Sequence, residues 1–160
     1  MKQIHRIGLF ITVLLFSSCG LLLAQTTHTI VLQVNTAALN GPDASAQSVF
    51  VGQPENSDSK DYTIYVDPGD TIVWQAQSSS NPGVHGVLVR TINHQGGDNV
   101  FGQNVLRDTE ENPGIVQGVV IEGTRGFEQK YMLMFQVSGD GRPGNRVYQI
   151  DPKIRVRDAE

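Results

Sequence analysis

Apolar and polar residues alternate along much of the chain after residue 27, with a period of two positions. The alternation is clearest at residues 30–34, 62–66 and 131–137, where every second residue is a large apolar one. Because successive side chains of a β-strand point to opposite faces, each set can line one buried surface. Similar patterns predict further strands at residues 48–51, 71–77, 84–92, 115–121, 147–150 and 154–156.

Turn-forming residues separate these segments, for example Asp-Pro-Gly-Asp at residues 67–70. Gly supplies positive φ, Pro fixes φ, and Asp or Asn folds back on the backbone. No dozen residues sustain a helical apolar stripe after residue 25, although the acidic residues before Pro113 favour a short helical turn at residues 105–112. Seven to nine short strands with such turns predict an all-β fold, a single antiparallel β-sandwich of cupredoxin-like or immunoglobulin-like type.

The first 24 residues have the pattern of a secretory signal peptide, with Lys2 and Arg6 before an apolar stretch. Small polar residues interrupt this stretch, which is too short for a membrane span of about 20 apolar residues. We therefore expect a signal peptide at residues 1–24 and a β-sandwich domain at residues 25–160. The corresponding localisation is secreted or periplasmic.

A second interpretation of the leader stays open. Phe-Ser-Ser-Cys at residues 16–19 can be taken as a lipobox, in which case a lipid on Cys19 anchors the protein to the envelope. This lipid anchor is the only membrane attachment that the sequence suggests. If cleavage instead follows Ala24, the mature chain has no cysteine.

Composition excludes several kinds of chemistry. The chain has 12 basic and 16 acidic residues, so removal of Lys2 and Arg6 with the leader leaves 10 basic and 16 acidic residues and a net charge of −6. A nucleic-acid partner is therefore not expected, because phosphate binding needs a concentrated positive surface. A single cysteine also excludes an internal disulfide framework, a Cys-rich zinc site and an iron–sulfur cluster.

The segment Tyr65-Val66-Asp67-Pro68-Gly69-Asp70-Thr71-Ile72-Val73-Trp74 is the sharpest local feature, and its Trp74 is expected in the core. The segment resembles the strand–turn–strand of cupredoxins, in which a histidine follows to bind copper, and His85 stands near that position. A blue-copper centre needs a cysteine thiolate, and no cysteine or histidine follows His94. Type 1 copper chemistry is therefore excluded.

A thiolate-free copper or zinc site remains the alternative to having no cofactor, because imidazole suits both ions. His85 and His94 are the candidate ligands, with His28 as a third imidazole. Nine residues separate His85 from His94, which is about 30 Å along an extended strand, so a turn near Asn93 would be needed to bring them together.

Catalytic motifs are absent from the sequence. Ser78, Ser79 and Ser80 lack the Gly-x-Ser-x-Gly pattern of a nucleophile elbow, so a hydrolase triad with a histidine has little warrant. Phosphate-binding and dinucleotide-binding fingerprints are missing as well. We therefore expect no catalytic residues and a protein that is not an enzyme.

A second resemblance covers more of the chain. Strand-like residues 29–36, the segment at 69–75, residues 131–137 and the closing Tyr-Gln-Ile-Asp-Pro-Lys-Ile-Arg-Val at 148–156 resemble the AidA/PixA inclusion-body protein family. Gln75 stands where that family usually has Arg, and Ile150 stands where it has Trp. The resemblance implies a β-sandwich and a non-enzymatic protein that accumulates or binds.

Together these features predict a secreted or envelope-associated, non-catalytic β-sandwich that binds an unidentified protein or carbohydrate. A cupredoxin-like metal-binding protein without a type 1 centre is the alternative. Loops at one end of a sandwich commonly carry function, and Phe101 and Phe127 are the candidate contact residues there. A homo-oligomer is a further expectation if an apolar strand face is exposed.

Overall fold

The structure is a computed structural model that describes residues 25–141 and 144–159. The predicted signal peptide and Cys19 lie outside the described residues. Within these residues ten β-strands and three short 3₁₀ turns form the fold, and no helix there is long and apolar enough to cross a membrane. The strands are β1 Thr27–Val34, β2 Ser48–Phe50, β3 Thr63–Val66, β4 Thr71–Ser78, β5 Gly86–Gly97, β6 Val105–Arg107, β7 Val116–Val119, β8 Glu128–Ser138, β9 Val147–Ile150 and β10 Lys153–Val156.

Two sheets pack face to face. A four-stranded sheet has the order β2-β1-β4-β7, and a six-stranded sheet has the order β3-β10-β8-β5-β6, with β9 also paired to β8. This arrangement confirms the predicted β-sandwich. The sheets are mixed rather than purely antiparallel, because β1 pairs with β4 and β3 pairs with β10 in parallel.

The core consists of the inward-facing residues that the alternation predicts. Tyr131, Leu133, Phe135 and Val137 on β8 are all buried, and they face Trp74 and its neighbours on the other sheet. Phe135 and Tyr148 stack with ring centroids 5.5 Å apart. Aromatic rings of this size supply much of the apolar area that a small domain can bury.

The region between β5 and β7 differs from the prediction. Residues 105–107 form strand β6 rather than a helical turn, with Leu106 buried between two exposed neighbours. Strand β5 continues to Gly97, past residue 92 where the predicted strand ends, and accommodates two β-bulges against β8. The turn near Asn93 that would be needed to bring His85 and His94 together is therefore not formed. Gly97 has φ of +72°, and a Cβ atom there would collide with the carbonyl oxygen of Glu128, so this glycine permits close strand approach.

The outward faces of the two sheets differ in charge. Along the six-stranded sheet the outward side chains include Glu128, Lys130, Lys153 and Arg155. The four-stranded sheet has an outward surface that we call the Val/Thr/Gln face, since its strand residues are of those three types only. These residues are Thr27, Thr29, Val31, Gln33, Val49, Thr71, Val73, Gln75, Gln77, Gln117 and Val119.

Candidate functional site

One end of the sandwich has a shallow cleft of about 640 Å³ between the end of β4 and the start of β5. Gln77, Ser78, Pro82, His85 and Leu88 are among the residues that line it. The cleft exists because residues 79–85 connect two strands that belong to opposite sheets.

A cluster of hydroxyl and imidazole groups borders this cleft. Oγ1 of Thr36 lies 2.8 Å from Oγ of Ser78, 3.0 Å from Oγ of Ser80 and 2.8 Å from Nδ1 of His85. The backbone N–H of Asn81 donates to Ser78, and the backbone N–H of Ala37 donates to Ser80. The cluster therefore ties the 3₁₀ turn after β1 to the loop between β4 and β5.

One assignment of hydrogen atoms satisfies the cluster. Each serine accepts from a backbone N–H and donates its own O–H to Thr36, which then donates to Nδ1 of His85. Nε2 of His85 lies 3.3 Å from the carbonyl oxygen of Asp140, which is suited to accept its proton. Since Thr36 is fully buried, its hydroxyl cannot meet a substrate, and the arrangement favours a structural role for the cluster.

A second polar cluster surrounds Asp70, which follows the Pro-Gly turn before β4. Its carboxylate accepts hydrogen bonds from the backbone N–H groups of Thr26 and Asp67, each at 2.9 Å. Nε2 of His28 lies 2.8 Å from the same carboxylate. Burial by itself raises the pKa of Asp70, but these three hydrogen bonds outweigh it and hold the pKa below its usual value.

A cleft of about 610 Å³ adjoins this second cluster, on the side where β3 is the edge of the six-stranded sheet. Its lining includes His28, Tyr62, Tyr65 and Arg157. Tyr65 is 55% exposed, whereas Tyr62 stacks on Phe50 with ring centroids 4.4 Å apart. The guanidinium of Arg157 is already paired with Asp67 at 2.7 Å.

The structure separates the two predicted metal ligands. His85 directly precedes β5 and His94 lies near its far end, so about 30 Å of extended strand lies between them. Nε2 of His94 is 3.1 Å from the carbonyl oxygen of its own neighbour Gly97. Among the described residues, no three His, Cys, Asp or Glu side chains are grouped as metal ligands would be.

The two predicted contact aromatics pack against the core. Phe101 is only 4% exposed and meets Trp74 edge to face, with ring centroids 5.6 Å apart. Phe127 is half-buried and packs on the same core. The loop position of Phe101 suggested exposure, but the ring fills space above Gly118 instead.

Sequence reasoning missed the roles of Thr36 and Asp70. Thr36 is 42 residues away from Ser78 and 49 from His85, so no local motif marks their contact. Asp70 did carry a usable pattern, because an Asp after Pro-Gly is placed to accept backbone N–H groups of its own turn. The contact with His28 depends on the parallel pairing of β1 with β4, which alternation does not reveal.

Comparison with solved structures finds the same fold in other proteins. No protein-family model and no curated protein sequence matches the chain. The crystal structure of the inclusion body protein PixA from Burkholderia cenocepacia J2315 matches 86% of this chain and 99% of that chain, with a TM-score of 0.62 and 12% identity. This chain shares its fold with an inclusion body protein. The AidA/PixA resemblance is therefore confirmed at the level of the fold, while the cupredoxin-like type stays a prediction.

Proposed function

We propose that this chain is an exported, non-catalytic β-sandwich protein that acts by association and accumulates as an assembly. The observation that carries the proposal is the extent of the likeness to the PixA inclusion body protein, which is matched over 99% of its length. The sandwich thus accounts for nearly all of the chain seen in the crystal structure of a protein described as an inclusion body protein.

The geometry of the polar clusters supports a role without turnover. The hydroxyl of Thr36 is buried, and Ser78, Ser80 and His85 are engaged with it. Asp70 is 3% exposed and is held by two backbone N–H groups and His28. Groups that perform acid–base or nucleophilic chemistry have to reach a substrate, whereas these groups satisfy one another.

Export is the second part of the proposal and is supported by the leader pattern at residues 1–24. Cleavage after Ala24 makes Gln25 the first residue of a soluble exported form. Lipidation at Cys19 makes an envelope-bound form with the same sandwich. The partner in either case is a protein or carbohydrate outside the cytoplasm, or further copies of the chain.

To test this proposal, the chain is expressed with residues 1–24 in place, and the protein is located by separating medium, periplasm, membranes and cytoplasm. Mass spectrometry of the amino terminus distinguishes Gln25 from a lipidated Cys19. Sedimentation at increasing protein concentration then measures accumulation, with Trp74 fluorescence reporting whether the sedimented protein is folded. We expect exported, folded material that sediments at high concentration and dissolves on dilution without denaturant.

Two results would contradict the proposal. Protein that stays in the cytoplasm with an intact leader would remove the export part. Exported protein that stays monomeric at every concentration and gathers no other component would remove the accumulation part. A lipidated Cys19 would instead select the anchored form.

A further inference from the structure

The Val/Thr/Gln face is a broad uncharged surface on an acidic protein. All eleven of its strand residues lack a charge, and its two edge valines, Val49 and Val119, are each 52% exposed. The chain as a whole carries 16 acidic and 12 basic residues. An uncharged sheet face is therefore a local departure from the rest of the sequence.

The outer face of the six-stranded sheet carries paired charges, as is usual for a surface in contact with water. Arg155 pairs there with Glu128 at 3.7 Å, and Lys130 pairs with Asp151 at 3.2 Å. Covering these groups would take ionised side chains out of water, which is costly. The Val/Thr/Gln face is the outward sheet face that a partner can cover without desolvating a charge.

We propose that this face packs against the same face of a second copy of the chain. The inference rests on the proposed function and names the partner in the assembly. A two-fold contact uses the same surface patch on both copies, and identical residues meet near its axis, so it suits a surface that is complementary to itself. Valine side chains pack on one another, and the amides of Gln75 and Gln117 both donate and accept hydrogen bonds.

Net charge favours this choice of partner surface. Copies of an acidic protein repel one another wherever carboxylates meet, and like charges opposed in an interface strongly disfavour association. The Val/Thr/Gln face contributes none of these charges. A charged partner, in contrast, would find no opposite charge on it.

The size of the face fits a weak, concentration-dependent contact. The two central strands have eight residues each and the edge strands three and four, so at about 3.3 Å per residue and about 4.8 Å between strands the face covers about 360 Å² per copy. Two copies then cover about 700 Å² in total, which is below the range of stable interfaces and typical of a transient association. The edge strands β2 and β7 have only three and four residues, so they offer little template for edge-to-edge pairing.

The test introduces charge at Val73, which lies between Thr29 and Gln117 near the middle of the face. Val73→Glu and Val73→Lys are measured separately and as an equimolar mixture by sedimentation velocity over a concentration series. Gln75→Glu and Gln75→Lys repeat the test at a position that is already polar, in case the Val73 variants do not fold. Met132→Glu, an outward half-buried strand residue of the other sheet, is the matched control.

We expect each single-charge variant to raise the dissociation constant at least tenfold, the mixture to recover association, and Met132→Glu to behave as wild type. Wild-type association that none of the face variants weakens would overturn this inference and leave the proposed accumulation standing. A wild-type protein that is monomeric throughout would overturn the accumulation itself. Weakening by Met132→Glu alone would assign the contact to the other sheet.

Discussion

The indole nitrogen of Trp74 donates a hydrogen bond of 3.1 Å to the hydroxyl oxygen of Tyr131, and this bond joins the two sheets inside the core. Both side chains are fully buried, and their rings meet edge to face at 5.7 Å. Burial raises the pKa of the Tyr131 hydroxyl, so this group stays neutral at physiological pH. Two aromatic residues on facing strands thus satisfy a polar group that would otherwise be buried without a partner.

Removal of one partner from this bond is expected to be costly. Tyr131→Phe leaves the indole N–H of Trp74 unpaired and should lower the free energy of unfolding by about 1–3 kcal/mol. The double variant Trp74→Phe/Tyr131→Phe removes both polar groups and should cost less than the sum of the single changes. Urea unfolding followed by far-ultraviolet circular dichroism measures each value, and Tyr65→Phe at an exposed position is the control. Equal stability of Tyr131→Phe and wild type would contradict a stabilising bond.

The buried carboxylate of Asp70 should make the stability of the protein sensitive to acid. Because its pKa in the folded state lies below the ordinary value of 3.8, its stabilisation is complete above that value and is lost as pH falls through the folded pKa. Asp43 acts in the same direction, since hydrogen bonds from Ser45 and Lys60 lower its pKa to about 2. We expect the free energy of unfolding to decrease steadily below about pH 4.

Asp70→Asn isolates the contribution of the Asp70 carboxylate. The amide keeps one acceptor oxygen for three donors, so the variant should lose about 1–3 kcal/mol at neutral pH. Its stability should also change less than that of wild type as the pH is lowered. Asp140→Asn, at an exposed turn, is the control for loss of a carboxylate alone. An Asp70→Asn variant with the full acid sensitivity of wild type would show that other groups produce it.

Gly118 determines the position of Phe101. A Cβ atom at residue 118 would lie 2.5 Å from Cδ1 of Leu106 and 3.0 Å from Cδ1 of Phe101, which is closer than packed atoms tolerate. Gly118→Ala should therefore cost about 1–3 kcal/mol through overpacking. The control Gly96→Ala has open space at its Cβ position. The measurement is thermal unfolding, and an unchanged midpoint for Gly118→Ala would mean that Phe101 can move outward.

The strand content could be predicted from the sequence because burial alternates where one face of a sheet is solvated. The β8 set from Tyr131 to Val137 and the β4 pair of Ile72 and Trp74 follow this rule, and all of them are buried. Strand β6 escaped prediction because three residues hold only one inward position, Leu106. The carboxylate of the next residue, Asp108, accepts hydrogen bonds from Arg90 and from the backbone N–H of Gly114. These bonds stabilise a loop at the place where the acidic residues favoured a helical turn.

The polar clusters could be predicted only in part, because their members are distant in sequence. Parallel pairing brings β1 beside β4, and this places Thr36 next to Ser78 and His28 next to Asp70. The alternation of apolar and polar residues is the same whether a strand pairs in parallel or antiparallel. The sequence pattern therefore could not distinguish the two, and the prediction was the antiparallel arrangement, which is the commoner one. Register across the sheet is tertiary information, and it decides which histidine meets which hydroxyl or carboxylate.

Titration with copper tests whether His85 and His94 are too far apart to bind one metal ion. Nδ1 of His85 is engaged with Thr36, His28 is engaged with Asp70, and His94 lies about 30 Å along β5 from His85. A single imidazole binds Cu(II) weakly. We therefore expect isothermal titration of the wild-type protein with Cu(II) to show no saturable binding heat that the substitution His85→Ala abolishes. His94→Ala is the matched control and should give the same weak heats as wild type and His85→Ala. Binding of one copper ion per chain that is abolished by either substitution would contradict this expectation, because both imidazoles would then have to bind the same ion. The length of strand between them forbids this within one copy, so the ion would have to lie between two copies of the chain.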